Sequence, residues 1–363
     1  MMVNKILFSL VICLIFTVRT SFGADISIIG SLQGYLSTDF NSESFHDNNR
    51  PFEVFNSKKG QTGLNSAFLG SQISGKDYYG TFTLQFGDYS HGFRNDSGIN
   101  IQEAFVGYHI SKKIDVEAGY FLSEKGQQLF RNNKHQVSYN PWYVYNFPLN
   151  LAGINVKYSP SKEFEFSLSA LNSIYDRQSR TGNLAYSPSI KYKNDFARVS
   201  ITGYYGNEMF GDYKIFQMFN LFSAEFDLTD QITVGTEYMY HSFAAIPLKR
   251  AKPRSMRNLS FYASYQVFEK FSVAARFSRL WNDNSMWNMP NIISNDAALS
   301  MEYKPSNKSF VRFEVRDLLL EGENRKDFMM NDGIPVNYRT DIALVFGFSF
   351  DRLLFEDKTK IEQ

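Results

Sequence analysis

The sequence predicts an all-β fold, a transmembrane antiparallel β-barrel of about sixteen strands with short turns at one end and long loops at the other. Three observations carry this reading. Apolar residues alternate with small or polar ones along nearly the whole chain. Aromatic residues reach 17%, with 35 Phe and 22 Tyr, an excess that a soluble core does not require. Short and long connections alternate between the strands. A 43% hydrophobic content rules out a disordered chain, and a formal charge of +1 argues against a nucleic-acid partner. Past residue 23 no apolar run is long enough for a membrane helix.

The N-terminus reads as a secretory signal. Lys5 supplies a positive start, Ile6 to Val18 is an uncharged apolar run, and Ser21-Phe22-Gly23 puts small residues at a cleavage site. Residues 1–23 are expected to be removed, leaving 24–363 as one barrel domain. The single cysteine, Cys13, lies inside that segment, so disulfides and thiolate metal sites are not expected. An exported, nearly neutral, β-rich chain fits the envelope of a bacterium with two membranes.

Strands are expected near residues 32, 68, 83, 105, 117, 155, 168, 188, 200, 221, 236, 262, 276, 298, 313 and 344. In the last, Ile342, Leu344, Phe346, Phe348 and Phe350 face one way, while Asp341, Ala343, Val345, Gly347 and Ser349 face the other. Phe164, Phe166 and Leu168 alternate with Glu165, Ser167 and Ser169, and Val311, Phe313 and Val315 with Arg312, Glu314 and Arg316. A soluble sandwich would show the same alternation. The connections decide against it. Seven are short and rich in turn formers: 74–77, 111–113, 160–162, 193–195, 229–230, 269–270 and 305–308. Eight are longer: 41–61, 88–97, 123–149, 173–183, 206–212, 243–256, 282–291 and 318–336. Long comes first and last, so both termini lie at the turn end, as in outer-membrane barrels. Boundary errors of a few residues extend the strand count to about fourteen to eighteen.

In a membrane barrel the large apolar face meets lipid and the polar face lines the lumen. Phase then puts Glu103, Glu117, Lys157, Arg198, Glu237, Arg276, Arg312, Glu314 and Arg316 on the inner wall, with Glu165, Lys191, Glu225, Glu302 and Asp341. These charges either select solutes or pair with one another and keep the pore wet. Tyr120, Tyr158, Tyr192, Tyr238, Tyr240, Tyr265 and Tyr303 fall near strand ends, where a phenol ring suits the membrane interface.

Other chemistry finds little footing. His46, His91, His109, His135 and His241 form no metal spacing, and no phosphate-binding glycine loop occurs, so no cofactor is expected. His241 and Ser242 are adjacent, but neighbours on a strand point to opposite faces and make a poor nucleophilic dyad. His109 shares a face with Glu103 at a separation of about 20 Å. The chain is therefore not expected to be an enzyme.

Residues 102–110 read Gln-Glu-Ala-Phe-Val-Gly-Tyr-His-Ile, followed by a tight turn and Ile114-Asp-Val-Glu-Ala-Gly-Tyr-Phe. Next come an aromatic loop, Val137-Ser-Tyr-Asn-Pro-Trp-Tyr-Val-Tyr-Asn-Phe-Pro, and a strand opening Ala152-Gly-Ile-Asn-Val. This succession resembles the β-barrel outer-membrane porins of Gram-negative bacteria, which are distantly similar to phosphate-selective porins. The resemblance is firmest over residues 98–172. It implies a water-filled channel for passive or weakly selective diffusion of small hydrophilic solutes. Its surroundings would be outer-membrane lipid, and its assembly a homotrimer, as in many sixteen-stranded porins. Such barrels often end on an aromatic residue, whereas this chain runs past Phe350 and Phe355 into a charged tail. The alternatives are an outer-membrane lipid hydrolase and a plugged structural or surface-interaction barrel.

The third long connection, 123–149, carries Tyr139, Trp142, Tyr143, Tyr145 and Phe147, and no charge between His135 and Lys157. Exposed aromatic clusters favour association. The loop is expected to fold into the lumen as the constriction, with Lys125, Arg131 and Lys134 against Glu124 giving a mild anion preference. The competing placement is an outer lid or a subunit contact.

Overall fold

The computed structural model describes residues 24–40, 56–88, 100–123, 150–174, 177–210, 212–244, 254–283, 292–321, 330–331 and 334–355. The strands are β1 (Asp25–Phe40), β2 (Gln61–Ser74), β3 (Tyr78–Phe86), β4 (Asn100–Ser111), β5 (Ile114–Leu122) and β6 (Asn150–Tyr158). They continue as β7 (Phe164–Leu171), β8 (Ala185–Lys193), β9 (Ala197–Phe210), β10 (Tyr213–Asp227), β11 (Ile232–Phe243) and β12 (Arg254–Phe268). Then come β13 (Phe271–Asp283), β14 (Ile292–Ser306), β15 (Ser309–Glu321), a small hairpin of β16 (Met330–Asn331) with β17 (Ile334–Pro335), and β18 (Tyr338–Phe355).

Sixteen of these strands pair antiparallel with their neighbours in chain order, and β1 closes the ring on β18. A sheet closed on itself has no free edge, so its backbone donors and acceptors pair between neighbouring strands, which hydrocarbon demands. No described helix is long and apolar enough to cross a membrane, and the barrel crosses with strands.

Two-residue alternation builds the wall. On β18, Leu344, Phe346 and Phe348 are exposed on the outer face, while Ala343 and Val345 are buried on the inner. The outer face of β7 offers Phe164, Phe166 and Leu168 in the same way. Exposed Tyr158, Tyr265 and Tyr303 lie on it close to the turn end. Where β1 places glycine outward, β18 fills the gap. Phe350 and Phe346 stand opposite Gly30 and Gly34 in register, their rings occupying the space a Cβ would need.

The tight turns are held by their own side chains. The Asn194 side chain accepts from the N–H groups of Phe196 and Ala197, and the Thr229 hydroxyl accepts from those of Gln231 and Ile232. Ser111, Ser161 and Ser306 each accept from the N–H two residues on. These are the residues whose short polar side chains compete for local backbone donors.

One connection departs from the expectation. The segment 206–212 is not a long loop, because β9 runs on to Phe210 and β10 begins at Tyr213, the two being paired. Gly206 and Asn207 look like turn formers but stay in the ladder, opposite Gln217 and Phe216. Gly206 is needed for close approach, since a Cβ there would meet Ala185 and Ile174. Strict alternation of long and short connections therefore fails at this one hairpin.

Candidate functional site

The inner wall is the candidate site, and its turn half is a network of paired charges. Glu117 on β5 accepts from Lys157 Nζ at 2.6 Å, Tyr79 at 2.8 Å and Asn155 at 2.9 Å. Lys191 lies 3.0 Å from Glu165 across the β7–β8 pair. Glu103, Glu117, Lys157, Glu165 and Lys191 line one concave stretch of this wall. Arg198 on β9 donates to Glu225 at 2.6 Å and to Asp227 at 2.7 Å. On the far side Arg312 donates twice to Glu302, at 2.9 and 2.7 Å.

Midway up the wall, Asp296 on β14 accepts from both Arg276 on β13 and Arg316 on β15. Arg316 also lies 3.8 Å from Asp341 on β18, which accepts from Arg339 at 2.8 Å. All five side chains are buried. A carboxylate there is tolerable only because two guanidinium groups face it.

The inward-phase residues read from sequence thus sit on the inner wall, and several are brought together. Glu117 meets Lys157, and Arg276 meets Arg316 through Asp296. Arg312 pairs with Glu302 on the neighbouring strand. Glu103 takes the N–H of Leu122 at 3.4 Å, and Glu237 and Glu314 are buried inward. Sequence reasoning missed Asp296, Arg339 and Asp227 as members. The signal was present, since Asp296 is in phase with Glu302 and Arg339 with Asp341, although Asp227 and Arg339 lie at strand ends.

Above this network the inner wall changes character. Tyr204 on β9, Phe219 on β10, Met239 and His241 on β11, Met256 on β12, Leu280 on β13 and Leu318 and Leu320 on β15 are all fully buried. Their aromatic members meet edge to face, Tyr204 with Phe219 at 5.8 Å, Phe219 with His241 at 5.6 Å and His241 with Phe243 at 5.0 Å. The Tyr204 hydroxyl bonds Ser123, the residue after β5. β5 and β9 are four strands apart in the wall, so the chain has already turned inward at Ser123. The rest of the expected constriction loop, including Lys125, Arg131, Lys134, Tyr139, Trp142 and Tyr145, lies outside the described residues, as does the signal segment 1–23.

His241 approaches Gln217 at 3.3 Å on the inner face, and Ser242 points the other way, so the two form no dyad. His109 meets Asp115 at 2.6 Å. Among the described residues no cluster of His, Cys, Asp or Glu could hold a metal ion.

A closed sixteen-strand barrel, apolar outside and charged within at its turn half, defines the class as a porin-type barrel. Residues 25–350 match the family described as "Putative beta-barrel porin-2, OmpL-like", and the chain belongs to that family. No curated protein sequence matches the chain. Among solved structures it is similar to an anion-selective porin from Comamonas acidovorans, at 11% identity and TM-score 0.64, covering 90% of this chain and 100% of that one. It is similar also to the outer-membrane channel DcaP of Acinetobacter baumannii, at 13% identity and TM-score 0.66, covering 90% and 98%. The OmpF of Salmonella typhi, solved with daunomycin, matches at 12% identity and TM-score 0.60, covering 90% and 98%. At such identities these likenesses show the fold. Family and fold together place the protein in the outer membrane of Gram-negative bacteria, among porin-type barrels.

Proposed function

We propose that the protein is a water-filled porin through which small hydrophilic solutes diffuse passively and with weak selectivity. The observation that carries this reading is the paired, two-signed charge network on the turn half of the inner wall, held by a porin-family barrel. Charges of both signs keep a lumen hydrated without closing it to either ion. The inner-wall charges Glu103, Glu117, Lys157, Arg198, Glu237, Arg276, Arg312, Glu314 and Arg316 are the proposed pore lining. Reconstitution in a planar bilayer tests the reading. Discrete current steps and a small reversal potential in a salt gradient are expected, and their absence would overturn it.

The second reading is a plugged barrel. The fully buried apolar set around Tyr204, Phe219 and Leu280 favours it, because water-filled lumens do not bury such side chains. In that case no current flows.

The narrowing is assigned to connection 123–149, with Lys125, Arg131, Lys134, Tyr139, Trp142 and Tyr145 at the constriction. The support is an uncharged aromatic stretch in the sequence and an apolar inner wall able to receive it. Deleting 128–146 should raise single-channel conductance. Unchanged conductance and ion preference would remove the assignment. A cleaved leader ending at Gly23 and a homotrimer complete the proposal. N-terminal sequencing of the mature protein and its mass in detergent read them directly.

A further inference from the structure

Three inward tyrosines share an arrangement that the pairing of charges does not explain. Tyr79 on β3 stands opposite Gly107 on β4, and its ring fills the space that a Cβ at Gly107 would need. Its hydroxyl thereby crosses β4 and donates to Glu117 on β5 at 2.8 Å. Tyr262 on β12 lies the same way over Gly235 on β11 and donates to Glu225 on β10 at 3.1 Å. Tyr35 on β1 lies over Gly63 on β2 and donates to Asp88, just past the end of β3, at 2.6 Å.

The geometry demands the glycine. Strands are about 4.8 Å apart, so a carboxylate two strands away is about 10 Å across the sheet. A phenol reaches toward it only by lying flat on the strand between, and any side chain there would lift the ring into the lumen. Each carboxylate has a cation as well: Lys157 at 2.6 Å from Glu117, Arg198 at 2.6 Å from Glu225, and Lys58 at 3.5 Å from Asp88. Phe310 on β15 supplies an internal contrast. It too lies over a glycine, Gly347 on β18, but has no hydroxyl and takes the Arg312 guanidinium on its ring face at 4.9 Å.

We propose that Tyr35, Tyr79 and Tyr262 are positioning residues of the channel. Each pins a carboxylate and its cation flat against the wall, and so sets the open cross-section and the charge that a passing solute meets. This rests on the channel reading. The glycine decides whether the ring lies down, and the hydroxyl decides whether the carboxylate does.

Single-channel recording in a planar bilayer under a KCl gradient separates the two roles. Gly235→Ala should displace the Tyr262 ring into the lumen and lower the conductance, and adding Tyr262→Ala to it should bring the conductance back. Tyr262→Phe keeps the ring but removes the hydroxyl that donates to Glu225, so conductance should hold while the reversal potential moves toward cation preference. A heat-shifted gel band confirms that each variant is a closed barrel. A residue that matters only for stability would leave the reversal potential of Tyr262→Phe where it was, and that result overturns the proposal, as does an undiminished conductance in Gly235→Ala. A wild-type protein that conducts nothing would instead overturn the channel reading itself.

Discussion

The turn half and the loop half of the inner wall follow different rules. In the turn half charged groups dominate the inner wall, and Glu117, Glu225 and Glu302 each face a cation. In the loop half, from β9 to β15, the inward groups include Tyr204, Phe219, Met239, Met256, Leu280 and Leu320, fully buried among uncharged polar side chains such as Gln217, Asn258 and Asn282. A charged wall is stable beside water. An apolar wall is stable only if something covers it, at about 1.5–3 kcal/mol per large side chain buried. The turn half is thus built like a pore and the loop half like a core. The bond from Ser123 to Tyr204 ties the end of β5 to that core.

The largest expected effect lies at the junction of the two halves. Asp296→Ala leaves Arg276 and Arg316 buried without their shared carboxylate, and should cost about 3–5 kcal/mol. The loss would be read as a lower unfolding midpoint in detergent, followed by the heat-dependent shift in gel migration. Leu280→Ala tests the loop half. If that half is a core, the change should cost roughly 2–5 kcal/mol. A midpoint within error of the wild type would mean that Leu280 faces water and that the contrast between the halves is false.

Tyr204→Phe removes one buried hydroxyl and its bond to Ser123, for an expected loss of about 0.5–1.5 kcal/mol. The same midpoint measures it, and Ser123→Ala should add little on top, since the bond it removes is already gone; Tyr204→Phe also loses a bond to Ser187. Smallest is Lys308→Ala. Lys308 pairs with Asp351 at 2.6 Å, but the two side chains are 57% and 75% exposed. An exposed pair contributes about 0–1 kcal/mol. A loss as large as that of Asp296→Ala would show that exposure does not separate weak pairs from strong ones in this wall.

Much of this was legible in one dimension. Two-residue phase put Arg276, Arg312, Glu314 and Arg316 on one face without coordinates, because a strand sends successive side chains to opposite sides. Turn chemistry located the hairpins at Asn194 and Thr229, because these side chains bond the backbone locally. The hairpin at 206–212 was misread for an equally local reason. Glycine marks both turns and close approaches, and at Gly206 only the packing of Ile174 and Ala185 tells them apart.

By itself, then, the sequence determined the class of fold, the phase of the clearly alternating strands and the position of the tight turns rich in turn formers, all of which depend on a few neighbouring residues. Only the tertiary structure decided which charges meet. Asp296 binds Arg276 and Arg316 because β14 lies between β13 and β15 with a particular register, and register is a property of two strands rather than one. The same holds for the tyrosines that cross a glycine to reach a carboxylate two strands away. It holds also for the apolar loop half, whose Leu280 and Met256 alternate as any strand would. Whether an inward side chain meets water or protein depends on what fills the barrel, and no local pattern encodes that.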